Sequence, residues 1–179
     1  MTEDLDENDP VDATALGWLR ERPGTPVEGI GIVTRIWRLA KMLGEDRRAV
    51  LAAAGADPAT LDLLSVLRRA GPPYELTTRE LTARSRVTAG AISQRISRAE
   101  RSGLVTRRSV AGSRAVTVTL TAAGHDLVDT LVDQVLGREA DLVSCLDPDQ
   151  QAELTRLLKV FLDALEAELG RPSHTQVGT

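Results

Sequence analysis

The feature that most constrains this 179-residue chain is a change of hydrophobic period at Gly103. Before that glycine the apolar residues keep helical spacing; after it they alternate. Upstream, Thr77-Thr78-Arg79-Glu80 forms a capping box, in which the Thr77 side chain caps the Glu80 amide and Glu80 reaches back. Leu76 and Leu81 flank it at hydrophobic-staple spacing. A short helix from Thr78 to about Arg84 is expected. A brief turn, Ser85 to Val87, leads to a second N-cap, Thr88, with Val87 and Ile92 as its staple. This second helix runs to about Ser102 and stops at Gly103. Leu104 to Arg108 then reads as a strand, Ala111-Gly112-Ser113 as a turn, and Val116, Val118 and Leu120 alternate with Thr117 and Thr119 as a second strand. Two helices joined by a tight turn, with a β-hairpin directly behind the second, make a winged helix-turn-helix.

The flanking sequence is helical. Residues 1–12 are acidic and read as disordered. A short helix comes next around Trp18, Ala13 to Arg22, stopped by Pro23-Gly24. Ile30, Val33, Trp37 and Ala40 set a long helix from about Gly29 to Ala54, with Gly55 as C-cap. Asp57-Pro58 supplies an N-cap and an N1 proline for a helix ending at Gly71-Pro72-Pro73. After the hairpin, Thr121 caps a helix with Leu127, Val128, Leu131, Val132, Val135 and Leu136 on one stripe. Asp147-Pro148 opens another with Leu154, Leu157, Leu158, Phe161, Leu162 and Leu165 at spacings of three and four. Residues 170–179 read as a disordered tail. The expected fold is mainly α with a small β-wing. Its order is N-terminal helices (13–56), a winged module (57–121) and C-terminal helices (122–169). The last two helices are long for so small a module to cover. They serve either an intrachain core or a dimer interface; the dimer, through N- and C-terminal helices, is the favoured reading. Aromatics are only 2% of the chain, so the core must be aliphatic.

The formal charge of −4 speaks weakly against nucleic acid, but its distribution does not. Arg84 to Arg114 holds eight arginines and one acid, Glu100, for a local charge of +7; the remainder carries −11. A basic patch on an acidic chain suits phosphate binding; a merely solvated basic face is the alternative. No apolar run is long enough to span a bilayer, and the acidic N-terminus is unlike a signal peptide, so a cytoplasmic location and no membrane partner are expected. The single Cys145 excludes an internal disulfide and reads as a small core residue. No phosphate loop, nucleophile constellation or metal-ligand cluster is present, so neither an enzyme nor a cofactor is expected; His125 and His174 are the only histidines.

On a helical wheel of the second helix, Ile92, Ile96 and Ala99 form the buried side. Gly90, Gln94, Ser97 and Arg101 lie nearly opposite, with Ser93 and Arg98 on the flanks. Gln94 suits adenine and Arg98 guanine. Ser93, Ser97 and the Thr88 N-terminus suit phosphates, and Arg114 at the wing tip a narrow minor groove. Each of these side chains can equally be solvated or touch only phosphate. Arg95 lies nearer the buried side and needs an anion, which is either Asp62 or a ligand.

The order of helices, wing and C-terminal helices resembles the multiple-antibiotic-resistance regulator (MarR) family over about Ile30 to Leu169. The match is densest in Ser97-Arg98-Ala99-Glu100-Arg101-Ser102-Gly103-Leu104-Val105, Arg107-Arg108, Arg114 and Leu120-Thr121-Ala122-Ala123-Gly124. The aspartate that usually precedes the wing arginine is missing, since Ala111, Gly112 and Ser113 stand there. Trp18-Leu19-Arg20-Glu21-Arg22-Pro23 is similar to the extra helix of the family's urate-responsive subgroup, although Gly24-Thr25-Pro26 departs from it. The resemblance implies a homodimeric transcriptional regulator on a pseudo-palindromic operator in double-stranded DNA. It implies a repressor released by a small anionic ligand, purine-like or a carboxylate, at Trp18, Asp62, Arg95 and Arg107. A DNA-binding regulator without an effector, and a winged helix that binds protein, are the alternatives.

Overall fold

The computed structural model describes residues 5–85, 87–109 and 115–170. The chain divides into two compact units, Met1–Arg47 and Arg48–Thr179. The division falls inside a helix.

In the first unit, α1 spans Pro10–Glu21 and α2 begins at Ile30, running to Ala53 across the boundary. Here the expectation of disorder through residue 12 is corrected. Asp9 caps α1, its carboxylate accepting from the amides of Val11 and Asp12, and Pro10 takes N1. This is the Asp-Pro signal that opens two later helices, hidden here by acidic surroundings. Residues 1–4 lie outside those described. Arg35 of α2 pairs with Asp9 and with Asp12, both at 3.0 Å, which holds α2 to the first turn of α1.

The second unit holds the winged module and the two C-terminal helices. Gly55, at φ +69°, closes α2: the Gly55 amide donates to Ala52 and the Ala56 amide to Leu51, a Schellman motif. Then come α3 (Pro58–Arg69), β1 (Glu75–Thr77), α4 (Thr78–Ser85), α5 (Ala89–Arg101), β2 (Val105–Ser109), β3 (Val116–Leu120), α6 (Ala122–Val143) and α7 (Pro148–Glu168). Each expected cap forms. Thr88 Oγ1 accepts from Ala91, Thr121 from Gly124, and Asp147 shares a capping box with Gln150. The wing is more than a hairpin. β1 adds to β3 in a three-stranded antiparallel sheet, ordered β1-β3-β2, pairing Leu76 with Val118 and Val105 with Leu120. The expected wing turn, 111–113, lies outside the described residues, as does the tail beyond Gly170.

The core is aliphatic. Leu61, Leu64 and Leu67 of α3 meet Leu81, Ile92, Ile96, Val105, Val118, Val128 and Leu131. Burying each such side chain contributes about 1.5–3 kcal/mol, more than an exposed ion pair at about 0–1 kcal/mol, so Ile92 and Ile96 set how α5 sits. By contrast, α7 buries none of its side chains within the chain. Among the described residues no single helix is long and apolar enough to cross a membrane.

Candidate nucleic-acid interface

Caps fix the ends of α5, and its apolar side fixes which side faces out. Thr88 holds its N-terminus, and Gly103, at φ +72°, ends it with a second Schellman motif through Gly103 to Glu100 and Leu104 to Ala99. Ile92, Ile96 and Ala99 are buried as the wheel requires. Thr88, Gly90, Ser93, Gln94, Arg98 and Arg101 are exposed, and Ser97 is partly so. These candidates thus share one solvent-facing surface of α5. Arg114 lies outside the described residues. The backbone amides at the α5 N-terminus add partial positive charge to that surface.

The arginines divide by partner. Arg98 Nη1 donates to Asp57 Oδ2 at 3.0 Å, linking α5 to the cap of α3. Burial pushes the Asp57 carboxyl up, but hydrogen bonds from Thr60 and Arg98 outweigh it and hold the group below its usual value. Arg107 on β2 donates through Nε to Glu100 Oε2 at 2.7 Å, and Nη2 contacts the same oxygen. That hydrogen bond lowers the Glu100 pKa and raises that of Arg107. Arg101 Nε reaches only the Ser97 carbonyl of its own helix, at 3.3 Å. Arg79, Arg84 and Arg108 are exposed; Arg79 and Arg108 have no acid within ion-pair distance among the described residues, and Arg84 is near enough to Glu80 to help hold its carboxyl below the usual value. The basic surplus therefore survives on α4, α5 and β2. The sequence places Arg84 and Arg108 in the basic segment without singling them out, and Arg79 lies outside that segment.

The four ligand candidates fall in different places. Asp62 and Arg95 come together, Oδ2 to Nη1 at 3.5 Å, with side chains only 10% and 19% exposed. The internal ion pair left open by the sequence is thus formed. Arg107 is held by Glu100 instead. It lines a cavity of about 670 Å³ between α4, α5 and the wing, together with Thr78, Arg79, Thr82, Ser93, Ile96 and Val116. Neither Asp62 nor Arg95 lines that cavity. Trp18 belongs to the first unit, half exposed on α1. The Glu100–Arg107 pair has no signature in sequence because its partners sit on a helix and a strand joined by the Gly103 turn.

Residues 54–115 match the model described as the MarR family. The HTH-type transcriptional regulator PecS of Dickeya dadantii (strain 3937) is 25% identical over 142 residues, covering 79% of this chain and 86% of PecS. A mutant MarR from E. coli, solved in complex with operator DNA, superposes with a TM-score of 0.60 at 25% identity, over 75% of this chain and 98% of that one. NadR, solved in complex with 4-hydroxyphenylacetate, shares the fold with a TM-score of 0.56 at 21% identity, over 73% and 91% of the two chains.

Proposed function

We propose that this chain, which matches the MarR family over residues 54–115, is a homodimeric repressor released from its operator by a small anionic ligand. The observation that carries the DNA-binding part is the outer surface of α5. Gln94, Ser93 and Arg101 stand exposed over a buried Ile92–Ile96 side, and Arg84 and Arg108 are exposed on α4 and β2, in a chain otherwise rich in acid. Gln94 has the donor and acceptor for adenine, and Arg101 and the α5 N-terminus suit phosphate. The related MarR bound to operator DNA supports the same use of this fold. The test is fluorescence anisotropy on a 30-base-pair duplex across a salt series. Binding should weaken steeply with salt, and Arg101→Ala should flatten the log–log slope by about 1. Salt-independent binding, or none, overturns the reading.

The dimer rests on α7. Leu154, Leu157, Leu158, Leu162 and Leu165 are all exposed in the single chain, at spacings that align them along the helix. A second copy is the partner a two-half-site reader needs.

For the ligand, the Asp62–Arg95 pair is the supported site. Arg95 stands on α5 itself, so an anion that takes the place of Asp62 pulls on the recognition helix directly. NadR bound to 4-hydroxyphenylacetate is a precedent for a carboxylate in this fold. A coupling of about 1–3 kcal/mol suffices for release. Urate and 4-hydroxyphenylacetate, titrated against the DNA complex, are the first probes. At least one should release the DNA, and Arg95→Ala should abolish release while DNA binding persists. Release that is unchanged by the substitution removes Arg95 from the site.

A further inference from the structure

We propose that Asp57 is a specificity-determining residue of the DNA-binding surface, buttressing Arg98 for base recognition and withholding its charge from non-specific phosphate. This rests on the DNA-binding reading above and deepens it. The two carboxylate oxygens of Asp57 do different work. Oδ1 accepts the Thr60 amide at 2.8 Å as the N-cap of α3, and Oδ2 accepts Arg98 Nη1 at 3.0 Å. The cap holds the carboxylate in place, so only the arginine must be ordered for the pair to form. Forty-one residues separate the partners, so the pair ties α5 to the start of α3 across the fold.

Elementary chemistry gives this pair two effects. A neutralised guanidinium gains little from a phosphate, because it exchanges one anion for another. Yet Asp57 engages a single nitrogen, and a guanidinium has five N–H donors, enough to keep the carboxylate and still donate twice to guanine O6 and N7. The Arg98 side chain remains 61% exposed, so its unused edge is open to DNA. Arg101 and Arg108 have no acidic partner among the described residues and are left to bind phosphate. The surface thus combines arginines that hold any duplex with one that is reserved for sequence.

The experiment uses the full chain with two probes: a random-sequence 30-base-pair duplex, and a duplex selected by the wild-type protein from a randomised pool. Asp57→Asn removes the charge and keeps the cap, since Asn caps helices as well as Asp; Asp57→Ser does the same with a different side chain. Both should melt at the wild-type temperature. On the random duplex each should steepen the salt slope by about 0.9 and tighten binding about 3- to 10-fold at 50 mM salt. The preference for the selected duplex should fall. Both effects should vanish when Arg98→Ala is also present. An Asp57 effect of equal size with and without Arg98 is a general charge effect and overturns the proposal, as do unchanged slope and preference. Wild-type protein that binds neither duplex overturns the DNA-binding reading and this one together; wild-type binding with indifferent variants overturns this one alone.

Discussion

At Gly124 a Cβ would stand 2.1 Å from the Leu104 carbonyl oxygen, a backbone atom that cannot swing away. Around it, the Thr121 amide donates to that same carbonyl at 3.1 Å, and the Thr121 hydroxyl donates to Gly103 at 2.7 Å. The glycine is therefore what lets α6 start against the end of α5. Gly124→Ala should cost about 3 kcal/mol or more in urea unfolding, at or beyond the usual range for overpacking. A loss below about 1 kcal/mol would contradict the close approach. The Asp62–Arg95 pair makes a second residue-scale case. Removing Asp62 strands a guanidinium that is 19% exposed, so Asp62→Ala should destabilise by about 1–3 kcal/mol in the same assay. Asp57→Asn, at an exposed pair with its cap preserved, should be nearly neutral. The two ion pairs look alike in sequence, an acid on or near α3 and an arginine on α5; burial separates them.

At the scale of elements, the N-caps carry most of the pattern. Asp9-Pro10, Asp57-Pro58 and Asp147-Pro148 each open a helix, and Thr88 opens α5, the helix proposed to face DNA. Thr88→Ala should cost about 1 kcal/mol of stability by urea unfolding. An unchanged midpoint would mean that the Ala91 amide finds another acceptor. These starts are legible because capping is local chemistry written within four residues. The start of α1 is obscured for the opposite reason: an acidic stretch has the composition of a disordered one, and that composition masks Asp9-Pro10. β1 is illegible in kind. Three residues cannot show a period, and Glu75–Thr77 is a strand only because β3 lies beside it. The candidate site divides the same way. The outer surface of α5 can be read from helical spacing alone. The pairings of Arg98 with Asp57 and Arg107 with Glu100 cannot, since both depend on how separate elements meet.

Over the whole molecule, charge and apolar surface tell one story. Several carboxyls sit below their ordinary pKa for local reasons: Asp9 through the Asp12 amide, Glu80 through the Thr77 hydroxyl, Glu100 through Arg107, Asp129 through Arg68 and Glu153 through Arg156. A group whose folded pKa is depressed adds stability above its unfolded value and loses it as pH falls through the folded one. The ordinary values are 3.8 for Asp and 4.5 for Glu. These groups should therefore leave the melting temperature level above about pH 5.5 and lower it steadily below about pH 4.5. A melting temperature level down to about pH 3 would contradict these pairings. The apolar surface of α7 makes a separate prediction: Leu158→Glu should convert a dimer to a monomer in sedimentation velocity, with looser DNA binding. The central claim joins that dimer to the two α5 surfaces it carries. Its most direct test is selection of binding sequences from a randomised duplex pool, with footprinting of the winner. The account predicts an inverted repeat with half-sites centred about one helical turn apart, roughly 10–10.5 base pairs, protected symmetrically. Enrichment of a single unrepeated site, or no enrichment at all, would contradict it.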